Sequence, residues 1–217
     1  MIVAAVFVGL GLAAALGIQP GVGFPLDPSL GAEYFPDRRE VASVLDLDRP
    51  WKVHLTFTEA DRYFGTVPKR CDITRHLGRG VFNGEAKYWY RTKGYIIYPT
   101  IEVREYSSSK RAASTFRDVR TRFRACKNRK WVEPFTPGGG GEITWTPYRV
   151  PKVGNASFGF VSLFNGEGGS SKSRILLSRV GDTIVYVQGM NYGGATLPTP
   201  SAKPYGKLAR LAVRKAQ

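Results

Sequence analysis

The sequence predicts an α+β domain: a mainly antiparallel β-sheet packed with one long central helix and a C-terminal helix. Three observations carry this expectation. Residues 110–127 repeat apolar positions at helical period, residues 142–188 hold four strand-like runs, and two of those runs are joined by the two-residue turn Gly181-Asp182. Hairpin-linked strands beside separate helices are the pattern of an α+β fold, since a parallel sheet needs a crossover after every strand.

The elements follow in chain order. Ile2–Ile18 is an uncharged apolar run near the lower length limit for a bilayer span, and its end carries the small residues of a cleavage point, Ala13-Ala14-Ala15 and Ala15-Leu16-Gly17. It reads as a signal peptide or a single N-terminal membrane anchor, with a buried core helix as the competing reading. Residues 19–36 are dense in proline and glycine and read as a linker. The domain proper is expected over 37–217, opening with a short helix from Asp37 to Leu45. Thr100–Tyr106 alternates with period two, as a strand with one wet face would.

The long helix is the clearest element. Ser107-Ser108-Ser109 supplies an N-cap, and Ala112, Phe116, Val119, Phe123 and Cys126 form one narrow apolar face. At about 100° per residue, Lys110, Arg117, Arg120, Arg124 and Lys127 gather on one flank of that face. Arg111 and Arg122 fall on the other flank, with Asp118. The glycine-rich stretch 134–141 reads as a loop. Strands are then expected at Glu142–Val150, Ser157–Phe164, Arg174–Val180 and Thr183–Gln188, a loop over 192–204, and a last helix at Lys207–Lys215.

Charge points to the kind of partner. The chain of 217 residues carries 32 lysines and arginines against 17 aspartates and glutamates, a formal charge of +15. The first 60 residues hold four basic and seven acidic residues, so the excess sits in the folded body. Such a body favours an anionic partner. With two histidines and two cysteines, no metal or cofactor site is expected. Cys71 and Cys126 in an exported chain are read as one disulfide, or else as two buried thiols.

Chemical motifs are few. Residues 166–173, GEGGSSKS, are near a phosphate loop, but Ser171 replaces the second glycine and the stretch joins two strands. It reads as a hairpin turn. No histidine stands near a nucleophile elbow, and Glu102 and Glu105 point to opposite faces of one strand, so no catalytic residues are assigned. Tyr88, Trp89 and Tyr90 interleave with Arg91 and could line a groove, or simply suit a half-buried strand.

The chain resembles the PknH-type extracellular sensor domain of actinobacterial serine/threonine kinases, a domain that also occurs in stand-alone exported form. The resemblance rests on the apolar N-terminus and linker, the Val41–Leu45 helix and Cys71. It continues in the strand and helix ending YSSSKRAASTFRDVRTRFRAC, the hairpin RILLSRVGDTIVYVQG and the terminal alanine/leucine helix. It implies a disulfide-braced antiparallel sheet with a cleft for a ligand or partner outside the cell. It supplies no catalytic residues, and signalling would run through another membrane protein.

The expected function is therefore a non-catalytic, extracytoplasmic, sensor-like binding module for an anionic envelope polymer, lipid or glycan. Lys110, Arg117, Arg120, Arg124 and Lys127 form its positive face, and Tyr88, Trp89 and Tyr90 a candidate wall. A secreted hydrolase and a nucleic-acid binder are the alternatives, and export disfavours nucleic acid as the partner.

Overall fold

A computed structural model describes residues 30–46, 53–57, 70–71, 73–78, 81–89, 96–133, 141–166, 169–193 and 200–217. The apolar run, the linker up to residue 29, residues 134–140 of the glycine-rich loop, and Tyr90 lie outside them. Among the described residues no helix is long and apolar enough to cross a membrane.

Among the described residues, eight strands form one antiparallel sheet: β1 (Val53–Phe57), β2 (Val81–Trp89), β3 (Ile96–Tyr106), β4 (Lys130–Glu133), β5 (Gly141–Pro147), β6 (Ala156–Gly166), β7 (Gly169–Val180) and β8 (Thr183–Gly193). Their order is β1-β2-β3-β8-β7-β6-β5-β4, so β8 and β7 lie at the centre. The α-helices described with them are α1 (Arg38–Leu45), α2 (Ile73–Leu77), α3 (Ser109–Cys126) and α4 (Ala202–Lys215). The α+β expectation, with a long helix and a C-terminal helix on an antiparallel sheet, is what the chain adopts.

Period-two alternation sends neighbouring side chains of the central strands into two separate cores. Ile175, Leu177, Ile184 and Tyr186 face α3, together with Phe158, Phe160 and Trp145. Leu176, Val185, Val187, Ile101 and Val103 face α4. The result is three layers, with α3 and α4 on opposite faces of the sheet. The core under α3 is aromatic: Phe116 meets Phe158 edge-on at 5.4 Å, and Phe123 stacks on Phe160 at 4.8 Å.

Local signals set the element ends. Ser108 caps α3, its side chain accepting from the Arg111 N–H. Asp37 and Glu40 form a reciprocal capping box at the start of α1. Gly181 sits at φ 54°, which the tight β7–β8 turn requires and glycine adopts freely. Gly189 is needed for space, because a Cβ there would lie 2.0 Å from Cζ of Tyr205. The stretch 166–173 joins two antiparallel strands, with Gly166 paired to Gly169, while Glu167 and Gly168 lie outside the described residues.

Several expectations need correction. Residues 30–36 are not linker: Leu30 and Phe35 are buried against α4. The strand ending at Tyr106 has no wet face, for Glu102 and Arg104 are as buried as Ile101 and Val103. The final helix starts at Ala202 rather than Lys207, with Pro204 in its first turn, where its missing N–H costs nothing. β1, α2 and β4 had no clear periodicity because each has only four or five residues.

Candidate functional site

The basic flank of α3 is built as the sequence spacing implied. Ala112, Phe116, Val119, Phe123 and Cys126 are all buried. Lys110, Arg117, Arg120, Arg124 and Lys127 are all exposed. They run along about 25 Å of helix, at 1.5 Å rise per residue. None of the five enters an ion pair with another described residue.

The two flanks of α3 differ because one of them is covered. α2 packs along α3, and Cys71, just before α2, is bonded to Cys126 with a Cα–Cα distance of 5.8 Å. Arg122 donates to the Arg70 carbonyl at 3.2 Å, and Thr115 on the same side is buried. The disulfide expected from cysteine count and compartment thus ties α2 over the flank of Arg122. The basic flank is the one left open to solvent.

The aromatic segment is placed elsewhere. In backbone register Tyr88 pairs with Thr100 of β3, and Trp89 with Val53 of β1. Thr100 lies six residues, about 20 Å, along β3 from Tyr106, where the chain enters α3. The far end of α3 sits over β5, with the Asn128 N–H donating to the Trp145 carbonyl at 2.7 Å. β2 and β5 are five strand spacings apart in the sheet, about 24 Å. The register therefore does not bring Tyr88 and Trp89 up to the basic flank.

A buried polar seam crosses the sheet on the α3 side. Arg104 is ion-paired with Glu102. On β8 the Tyr186 hydroxyl donates to Gln188 at 2.7 Å, and the Gln188 amide donates to Ser173 of β7 at 3.0 Å. Glu102 and Tyr186 are cross-strand partners, so the seam runs from β3 through β8 to β7. Nothing in the local pattern signals it, since Glu102 and Arg104 alternate with Ile101 and Val103 as on any amphipathic strand.

Several of the groups that could do chemistry are already engaged or buried. Both thiols are spent in the disulfide. Glu102 is neutralised by Arg104, and His76 is buried on α2. Glu142 is engaged by Lys130 at 3.0 Å.

Neither a protein-family model nor a curated protein matches the sequence. Solved structures do match in shape. The extracellular domain of PknH from Mycobacterium tuberculosis superposes with a TM-score of 0.66 over 92% of this chain and 98% of that one, at 12% identity. An uncharacterised protein from Mycobacterium smegmatis (Rv0999 ortholog) gives 0.44 over 85% of this chain, also at 12% identity, a likeness that fixes no fold by itself. The chain shares its fold with the extracellular domain of PknH.

Proposed function

We propose that the protein is a non-catalytic, extracytoplasmic binding module whose α3 flank recognises an anionic envelope polymer, one bearing phosphate or carboxylate groups at regular intervals. One observation carries this reading: five exposed cations in a row, with no ion pair to another described residue, on the flank that α2 leaves open. Isolated surface charges add little to folding stability, so stability does not account for the row. Repeated cations on a straight helix suit a repeated anion, because each contact adds without the chain bending. The disulfide supports an oxidising compartment outside the cytosol. The PknH domain with the same fold is extracellular, which supports a sensor-like role here.

The test is a titration of wild type and R117E/R120E/R124E with polyphosphate and with an acidic polysaccharide, at low and high salt. The substituted positions are exposed, so the variant should keep the wild-type melting temperature. Losing three favourable contacts and gaining three repulsive ones should weaken binding at least about tenfold. Equal affinity of both proteins for every polyanion would remove the α3 flank from the function.

A further inference from the structure

The long helix does not carry the only basic face. α4 turns Lys203, Lys207, Arg210 and Arg214 to solvent at spacings of 4, 3 and 4, and it contains no acidic residue. Its other side is buried through Tyr205, Leu208, Ala209 and Ala212. The loop 148–153 packs beside it, with Pro151 Cγ 3.1 Å from the place a Gly206 Cβ would occupy, and adds exposed Arg149 and Lys152. Two nearby carboxylates on the packed α1 are already engaged. Glu40 meets Lys215 at 3.1 Å, and Asp37 accepts from the backbone of its own helix. Exposed Glu33 and Asp46 are equalled in number by exposed Arg38 and Arg39.

The chain also enters the body on this side. Leu30 and Phe35 share a core with Tyr205, Leu208 and Ala212, and the 3-10 turn Ala32–Tyr34 contacts α4. Only 11 residues, 19–29, separate Leu30 from the apolar run Ile2–Ile18. Fully extended they reach about 40 Å, and as a flexible coil about 18 Å. The outer face of α3 lies a full helix-sheet-helix thickness away, about 30 Å, behind the sheet. At its coil length the connecting segment falls short of that distance, so a membrane holding the apolar run would meet α4 first.

We propose that α4 and the 148–153 loop form a membrane-facing surface that lies on an acidic-lipid bilayer in which Ile2–Ile18 is anchored. The cations sit among the phosphate headgroups, where a negative surface potential draws basic residues within a Debye length. α3 then points away from the membrane, its flank open to soluble polymer. The two basic faces have separate tasks, and either can fail without the other.

The experiment uses the full chain in nanodiscs of phosphatidylcholine alone, or of equal parts phosphatidylcholine and phosphatidylglycerol. Lysines are acylated with a water-soluble reagent and read by mass spectrometry. Lys203 and Lys207 should label at least about threefold more slowly in the acidic discs, while Lys110 and Lys127 label equally in both. The protection should vanish at about 1 M salt, where the screening length falls to about 3 Å. R210E/R214E should abolish it without altering the melting temperature. Equal labelling of Lys203 and Lys207 in both discs overturns the proposal. So does protection of Lys110 and Lys127 in their place, or protection that survives R210E/R214E. Protection of Lys110 and Lys127 by polyphosphate would report on the α3 flank separately.

Discussion

Arg104 and Glu102 stand two residues apart on β3 and form an ion pair inside the protein, the guanidinium side chain 1% exposed and the carboxylate 7%. They share the face of Tyr106, whose hydroxyl donates to the Leu77 carbonyl of α2 at 2.6 Å. Tyr106 thereby ties the face that holds the charged pair to α2. A buried ion pair loses hydration on both sides, so its geometry matters more than its presence.

Removing one partner should be far more damaging than removing both. Glu102→Gln leaves the Arg104 charge buried without its carboxylate and should lower stability by about 3–5 kcal/mol. The double change E102L/R104M exchanges the pair for apolar volume and should lose much less than the two single changes added together. Urea unfolding with matched m-values gives the cycle. Additivity of the single losses would show that the two charges do not act as a pair.

The Cys71–Cys126 bridge should matter mainly in the unfolded chain. It joins residues 55 apart, and the chain-entropy model values such a loop at about 4 kcal/mol. C71A/C126A should therefore unfold at much lower urea, with amide exchange rising first in α2, which the bridge pins to α3. Both cysteines are fully buried. A variant within about 1 kcal/mol of wild type would mean that packing alone holds α2 in place.

Stability should fall in alkali. Burial pushes the phenols of Tyr106 and Tyr205 well above the usual tyrosine range. A folded pKa raised above the unfolded one means the unfolded chain releases its protons first. The contribution is complete below about pH 10, the unfolded value, and is lost progressively as pH rises beyond it. Urea midpoints should hold steady to about pH 9.5 and then decline, and Tyr205→Phe should make that decline shallower. A wild-type midpoint unchanged up to about pH 11 would count against buried phenols at both positions.

Local pattern was enough where one segment carries its own signal. The apolar face and cap of α3, its basic flank, the β7–β8 hairpin and the capped start of α1 each depend on residues within a few positions of one another. The short pieces β1, α2 and β4 do not, because four or five residues cannot display a period. The basic row on α4 was written in the sequence too, at positions 203, 207, 210 and 214, but a helix begun at Lys207 cuts off its first member.

What the sequence determined by itself is the set of amphipathic surfaces, since side-chain period follows from backbone geometry alone. What only the tertiary structure decided is which polar residues face water. Glu102 and Arg104 alternate with apolar neighbours as an exposed face would, yet they are buried, because cover comes from segments distant in sequence. The same cause separates Tyr88 and Trp89 from the basic flank, frees one side of α3 by laying α2 along the other, and brings Leu30 onto α4. Exposure belongs to a layer and its neighbour together, and no single segment contains that information.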